Sequence, residues 1–492
     1  MGLPNDIASC HRIILELASA LEGIKPQLES YMHQIEGYIQ QIEVQRRQIS
    51  QLELRVKELE SQRDQNSRNS SRPPSTDWKK SKPAFPRAQG GKIGGKKGHD
   101  GGTLKMVAKP DKVEPYSLEV CSQCGKVHFQ EPLVVQARRQ VFDIPLPRIE
   151  VTEHRVLTWV CCGCHYENRG EFPPDVTGAT QYGPRLQTMS VLFNNAYCIP
   201  RNKIQQIFKD LYGVSVNEGT LQKQQQSAFE ALAEDETHIK SCLGQSQVVH
   251  FDETGVYVGC QRFWKHAISN ERYTYLFVHP KRGIAAHEED LSILPAFKNW
   301  AIHDCWASYF HFHLCRHAVC GAHLLRELTA LIEHGSKWAK EFHTFLLDLY
   351  QRSNNGRASI PTAQRTQIRA QYKTLLQKAD KEEPPPIPKP RGKPKKTQGR
   401  NLLDRLTKYQ KAVLAFAFHS MVPFTNNQAE RDIRPTKTKM KVSGCFRTRQ
   451  GAMIYARVQS FVSTVRKLQF NPFNELFTVL TGGKPEYRLA GG

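Results

Sequence analysis

The stretch 248–258, VVHFDETGVYV, decides the architecture: β-branched and aromatic residues dominate it, and an acid, Asp252, stands in its middle. Such a run reads as a strand. Two more follow, RFWKHAIS at 262–269 and RYTYLFVHP at 272–280, each set off by a polar turn, so an antiparallel meander is expected. A further short strand, NWAIHD at 299–304, comes after a helical interval, EEDLSILPAF at 288–297, and ends on a second acid, Asp304. A carboxylate within a strand is costly unless it lies at an exposed edge or binds a cation. Two acids ending adjacent strands can share divalent cations, and an oxygen-rich shell suits Mg²⁺ while keeping positions open for phosphate and water.

Downstream, long helices are expected from about 314 to 378, a disordered loop over the Pro-rich, basic 381–400, and helix again from LLDRLTKYQKAVLAFAF at 402–418. Then comes PFTNNQAERDIRP at 423–435. Thr425 as cap with Gln428 three residues on is a capping box that starts a helix, and Pro435 is expected to end it early. Asn427, Glu430, Arg431 and Arg434 share a face or neighbouring faces there, so a carboxylate and guanidiniums would point at one phosphate. Any one of these acids taken alone is more often an ordinary surface or turn residue.

Upstream, two CxxC pairs, Cys121/Cys124 and Cys161/Cys164, stand with 36 residues between them and strand-like sequence in that interval. Two such knuckles can complete a four-sulfur Zn²⁺ site, and the metal would supply folding free energy to a module poor in apolar residues. Cys162 is an alternative ligand in the second knuckle. A redox CxxC is the competing reading, and it expects one motif at a helix start. The 13 cysteines, odd in number and clustered, favour metal ligation over disulfides.

Between that module and the first strand, Ile204, Ile207, Phe208 and Leu211 recur at helical spacing before Tyr212-Gly213, and a second element opens near Val216 with Asn217 as cap and Thr220 inside. This has the shape of a helix-turn-helix, whose second helix would enter a major groove, although an ordinary helical hairpin has the same pattern. At the N-terminal end, Leu28, Ile35, Ile42, Ile49 and Val56 alternate with Tyr31, Tyr38, Gln45, Leu52 and Leu59 as the two seam positions of five heptads. A dimerising coiled coil is expected, the alternative being an amphipathic helix lying on its own domain. Residues 62–110 hold 12 Lys and Arg against 3 acids, among Pro, Ser and Gly. That segment cannot build a core, and it reads either as an arm along a phosphate backbone or as a solvated linker.

A chain of 492 residues exceeds one compact core, and a formal charge of +22 favours nucleic acid as partner. No run of about 18 apolar residues exists, so no membrane span is expected, and the N-terminus lacks a signal-peptide core. The cytoplasm is the expected location, on the nucleoid when bound to DNA.

The sequence resembles the transposases of the insertion sequence 66 family, DDE transposases with an RNase H-like catalytic core. The resemblance is carried by NSRNSSRPPSTD and GGKKGHDGGTL in the basic arm, CSQCG and CCGC, HFDETG, HDCWASY, CGAHLLREL and TNNQAERDIRP. It implies a catalytic triad of Asp252, Asp304 and Glu430 holding two Mg²⁺ ions, and it gives Glu430, 126 residues beyond Asp304, most of its weight. By the same resemblance Cys320 and His323 fit a Cys-x-x-His pair that supports the core; a second zinc site from His303, His313 and Cys315 is the lesser reading. The implied function is transposition: binding terminal inverted repeats, cleaving DNA and transferring the strand to target DNA, with a homodimer or higher oligomer and small accessory proteins as partners. A zinc-dependent DNA-binding regulator and a nuclease of the same core fold are the alternatives.

The expected class is thus α/β multidomain. Its parts are an N-terminal helix or coiled coil at 1–62, a basic disordered linker at 63–110, a zinc ribbon-like module at 111–175 and helix-turn-helix-like helices at 180–243. An RNase H-like catalytic core follows at 244–445, a mixed sheet with flanking helices and a helical insertion at about 325–410, and then a C-terminal helical region at 446–492. Arg68, Arg72, Lys79, Lys80, Lys96, Lys97, Arg201 and Lys203 are the expected DNA contacts.

Overall fold

The computed structural model describes residues 6–66, 69–70, 104–116, 118, 120–127, 135, 137–289, 291–353, 357–386, 392 and 394–489. Arg68, Arg72, Lys79, Lys80, Lys96 and Lys97 lie outside the described residues. The chain divides into two compact units. One comprises Met1–Trp78, Tyr182–Pro200 and Leu221–Gly492; the other comprises Lys79–Gln181 and Arg201–Thr220. No helix among the described residues is long and apolar enough to cross a membrane.

The chain opens on one helix, α1 (Ile7–Arg63), capped by Asp6, whose side chain accepts the Ser9 N–H. Its seam residues are exposed, Leu28, Ile35, Ile42, Ile49 and Val56 each by half or more. In the second unit a small hairpin, β1 (Thr158–Val160) and β2 (Glu167–Arg169), pairs antiparallel around the second CxxC. The strands expected across the rest of 137–157 do not form. None of the described residues from 104 to 181 is buried, so no apolar face fixes a strand register there.

Helices α2 (Pro184–Asn195), α3 (Arg201–Tyr212), α4 (Glu218–Ala231) and α5 (Ala233–Gln245) lead to the sheet. The turn after α3 is made by Gly213 at φ +69°, and Asn217 Oδ1 accepts the N–H groups of Gly219 and Thr220, capping α4 as its sequence predicts. α4 buries Leu221, Gln224, Gln225 and Ala228, with Gln224 accepting from Ser190 at 2.6 Å.

The sheet comprises β3 (Val248–Val258), β4 (Gln261–Ser269) and β5 (Thr274–His279), the expected meander, followed by α6 (Ile284–Glu288), β6 (Trp300–His303) and β7 (Arg316–Val319). The spatial order is β5-β4-β3-β6-β7, with β6 and β7 parallel to β3. Two expectations fail here. The helical interval shrinks to α6, placed earlier than predicted, and a single turn at Leu294–Ala296. Residues 316–319, read as helix, are a strand, because their backbone completes the parallel ladder beside β6.

Period-2 alternation divides the sheet's two faces. Phe251, Ile268, Tyr275, Phe277 and Ala301 pack against Ile239 and Leu243 of α5. Val256, Ala267, Leu276 and Val278 face α13 (Asn427–Ser443) and α14 (Arg449–Lys467). The helices between β7 and α13, namely α7 (Gly321–Glu333), α8 (Lys337–Arg352), α9 (Thr362–Glu382), α10 (Gln398–Lys408), α11 (Gln410–Val413) and α12 (Ala415–Phe418), build a core of their own. It continues onto Trp300, Ile302, Ala318 and Val319 of the sheet. The expected loop is shorter than predicted, since helix runs to Glu382 and resumes at Gln398 behind a Thr397 cap. The open edge of β5 is closed by side chains: Thr274 and Leu276 donate their N–H groups to Thr464 and Ser460 of α14. A last helix, α15 (Pro472–Leu480), packs in a core shared with α2 and α14.

Candidate functional site

Register places the acids. β3 pairs with β6 so that Val248 faces Trp300 and His250 faces Ile302; continuing that offset sets Asp252 level with Asp304. β6 pairs with β7 so that His303 faces Val319, which sets Cys320 level with Asp304. All three stand where the parallel ladder ends. Carboxyl ends of parallel strands are where such sheets present functional groups.

Glu430 arrives on the first turn of α13, by a route other than the expected capping box. The residue at the cap position is Asn426, and neither its side chain nor that of Thr425 caps the helix. Fully buried, Asn426 hooks α13 to β3 instead. Its Nδ2 donates to the Phe251 carbonyl at 2.8 Å, and its Oδ1 accepts from His250 Nδ1 at 2.9 Å. Burial pushes the His250 imidazole down to about 4, leaving it neutral. The Asn426 N–H donates to Cys320 Sγ at 3.1 Å, tying the same corner to α7. Close approach is required at this corner: the Gly321 N–H donates to the Phe424 carbonyl at 2.7 Å, and a Cβ on Gly321 would meet the Phe424 ring at 2.1 Å.

Pro435 does not end the helix, which runs on to Ser443. An interior proline costs about 3 kcal/mol. Here the carbonyl it orphans belongs to exposed Arg431, which water can reach, and the helix is anchored on both sides by Ala429, Ile433, Thr436 and Lys439. Beyond the proline, Lys265 Nζ donates to Thr436 Oγ1 at 2.6 Å and Lys439 Nζ to the Asn194 carbonyl at 3.1 Å.

The electrostatics are those of crowded, poorly solvated carboxylates. Burial, with the charges of Glu253, Asp304 and Glu430, raises the Asp252 carboxyl well above the usual range. Asp304 is pushed up to about 6 by burial and then by Glu253. Glu253, absent from the expected site, is a central part of it. Its side chain, 2% exposed, accepts from Arg282 Nε at 2.7 Å and from the Tyr309 hydroxyl. Arg282 reaches on to Asp304 at 3.9 Å and lies over Trp306, 3.9 Å from the ring centroid. Glu253 was legible only as the neighbour of Asp252; Arg282 and Asn426 gave no signal, since each acts across more than 25 residues of chain.

Cys320 is fully buried, and His323 Nδ1 stands 3.8 Å from Glu430 Oε1. Ligand atoms of Cys320, His323 and Glu430 all lie within 4.8 Å of one another. Among the described residues no other group of three or more ligand-type side chains is so close. His303, His313 and Cys315 therefore form no such cluster, His303 bonding His317 and His313 being exposed, and the oxygens of Asp252, Asp304 and Glu430 likewise stand further apart than this. Asn427, Arg431 and Arg434 lie exposed on α13, Arg431 donating to Gln428 at 2.6 Å. Asp252's charge also acts on Lys437, a turn further along.

The two cysteine pairs are folded alike. The Cys121 N–H donates to Lys126 and the Gly125 N–H to Cys121; the Cys161 N–H donates to Tyr166 and the His165 N–H to Cys161. Gly125 and His165, the equivalent residues, both have positive φ. In each knuckle backbone N–H groups, of Cys124 and Gln123 or of Cys164 and Gly163, aim at the first sulfur and hold its thiol below the usual range. The four sulfurs are not gathered into one cluster, as the expected single site requires, because the described chain between them buries nothing that would fix their separation. All 13 cysteines are free. Of the expected DNA contacts that are described, Arg201 is half-buried at the start of α3 and Lys203 is exposed.

A mixed sheet flanked by helices, with Asp252 and Asp304 level on neighbouring parallel strands, defines an α/β protein. The chain belongs to the IS66 transposase family: the model of that family (Transposase IS66 family) matches residues 179–454, more than half of the chain. A family of unknown function (DUF6444) matches residues 20–105. No curated protein matches the chain. Family membership makes transposition of DNA the activity at a coarse level, and it implies binding of DNA and use of a divalent metal.

Proposed function

We propose that the chain cuts the ends of a bacterial insertion sequence and joins them to target DNA at one site, with Asp252, Asp304 and Glu430 as the ligands of two Mg²⁺ ions. The observation that carries this reading is the shared level of Asp252 and Asp304 on neighbouring parallel strands, with Glu430 tethered to the same strand through Asn426. The strand order β5-β4-β3-β6-β7, three strands antiparallel and then two parallel, supports an RNase H-like core. The donor set fits the ions: three hard oxygen ligands, two of which, Asp252 and Asp304, are left short of positive charge by burial and neighbouring acids.

When bound there, divalent ions supply Lewis-acid charge at the phosphate and ease deprotonation of the attacking water or 3′ hydroxyl. The chain's own residues do the positioning. Glu253 takes up Arg282 and Tyr309, and Arg282 reaches on to steady Asp304. Arg431, Arg434 and Lys437 line α13 with cations beside the acids, where a phosphate backbone would lie. Asn427 is exposed in the same first turn.

The paired knuckles at Cys121/Cys124 and Cys161/Cys164 support a structural Zn²⁺ role, their N–H groups being aimed at sulfur as a thiolate ligand needs. The exposed seam of α1 supports pairing with a second copy, which would bring two element ends together. α4, Arg201 and Lys203 would contribute to holding the inverted repeats, with the basic arm, and small accessory proteins would complete the complex.

The test follows labelled element ends into target DNA in Mg²⁺. Wild-type protein is expected to cut and join, while Asp252→Asn and Glu430→Gln bind the ends without cutting. Joining by either variant would overturn the triad. Cutting without joining would point to a nuclease, and metal-independent binding with no nicking to a regulator.

A further inference from the structure

Next to the proposed Mg²⁺ site, the structure holds a second constellation of a different chemical character. Cys320 stands at the cap position of α7 and His323 follows three residues on, so both side chains belong to the same helix end. Glu430 faces them from α13. His323 Nδ1 and Glu430 Oε1 are both buried and have no hydrogen-bond partner, although they stand 3.8 Å apart. That gap is too long for a hydrogen bond. It is close to the separation of two ligands on a tetrahedral ion, since bonds of about 2.0–2.3 Å set neighbouring donor atoms roughly 3.3–3.8 Å apart. The Cys320 sulfur accepts the Asn426 N–H at 3.1 Å, a contact that only partly offsets the burial raising its thiol to about 11, so a cation there would supply the charge a buried thiolate needs.

We infer that Cys320, His323 and Glu430 bind one borderline-soft divalent cation of the Zn²⁺ class, with its fourth position open. Sulfur and imidazole select such an ion over Mg²⁺, which takes oxygen ligands. An ion held here draws a Glu430 oxygen toward α7 and away from Asp252. If Glu430 is the third catalytic acid, as proposed above, zinc at this site therefore competes with Mg²⁺-supported cleavage; the binding itself does not depend on that reading.

The test is metal stoichiometry of the full-length protein, stripped with chelator, reloaded with Zn²⁺ and measured by atomic emission. Wild type is expected to carry one equivalent more than each of Cys320→Ser, His323→Ala and Glu430→Gln, whatever the cysteine knuckles bind. Reloading with Co²⁺ should give a thiolate charge-transfer band, part of which Cys320→Ser loses. Circular dichroism checks that each variant is folded; because Cys320 is fully buried, the partly exposed His323 carries the test if Cys320→Ser unfolds. Unchanged stoichiometry in folded His323→Ala and Glu430→Gln would overturn the site. In cleavage assays, the Zn²⁺ concentration that halves the Mg²⁺-supported rate should rise at least tenfold in His323→Ala, measured against that variant's own uninhibited rate. An equal concentration in both proteins would overturn the competition. Wild type that carries the extra zinc yet never cuts DNA would sustain the metal site and overturn the catalytic reading alone.

Discussion

Asn426→Ala is the perturbation that most sharply separates a positioned Glu430 from one that merely lies nearby. The side chain is fully buried and makes two hydrogen bonds, to the Phe251 carbonyl at 2.8 Å and from His250 Nδ1 at 2.9 Å. Alanine leaves both partners buried and unpaired, each at a cost of about 1–3 kcal/mol, so a loss of roughly 2–6 kcal/mol is expected in denaturant unfolding. The same bonds hold the first turn of α13 against the residue preceding Asp252. Releasing them lets Glu430 drift, and a displacement of about 1 Å can cost about 10²-fold in rate. The assay pairs urea melts with single-turnover cleavage under conditions where the variant is still folded. A double-mutant cycle with His250→Ala isolates the shared bond, with a coupling of about 1 kcal/mol expected. Wild-type cleavage by folded Asn426→Ala, or strictly additive losses in the cycle, would refute the argument that this bond network sets Glu430's place.

Other expectations follow from the same geometry. Gly321→Ala drives a methyl group into the Phe424 ring and should destabilise by about 1–3 kcal/mol, with cleavage reduced as well; an unchanged melting temperature would mean the corner yields freely. Asp252 and Asp304 have folded pKa values raised above the unfolded ones, so the native state binds the extra protons; metal-free stability should fall as pH rises from about 4 through about 6 for Asp304, and Asp252 acts in the same direction. Asp252→Asn should therefore raise the metal-free melting temperature at pH 7.5 and abolish the further rise caused by Mg²⁺ in wild type; a variant still stabilised by Mg²⁺ would count against the site. Lys265 is fully buried with its ammonium pushed down to about 7, so the unfolded state binds more protons above that pH, and this residue makes stability rise between pH 7 and 10. Lys265→Met should raise the melting temperature at pH 7 and flatten that rise; a lower melting temperature at pH 7 would mean that the Thr436 bond outweighs the cost of burial.

What the sequence disclosed tracks how local each determinant is. Asp252 and Asp304 were readable because a carboxylate interrupting an apolar strand is a local anomaly, and the meander was readable because its turns are polar and its strands long. β7 was missed because Arg316–Val319 is four residues with one exposed end, a strand only by virtue of pairing with β6. Pro435 misled for the opposite reason: its local penalty is real, and buried contacts on both sides of it prevail. The capping box at Thr425 and Gln428 gave way to Asn426, whose partners lie 175 and 176 residues away in sequence. Glu253 hid behind Asp252, and Arg282 became part of the site only through a fold that carries it back over the end of β6.

The central claim is that the three acids hold metal ions directly at the reacting phosphate, and a sulfur substitution tests it most directly. An element end carrying a phosphorothioate at the scissile phosphate should be cut poorly by wild type in Mg²⁺ and rescued by softer Mn²⁺, with Asp252→Asn inactive in both. Equal cutting of the sulfur and oxygen substrates in Mg²⁺, or Mn²⁺ rescue that survives in Asp252→Asn, would contradict it.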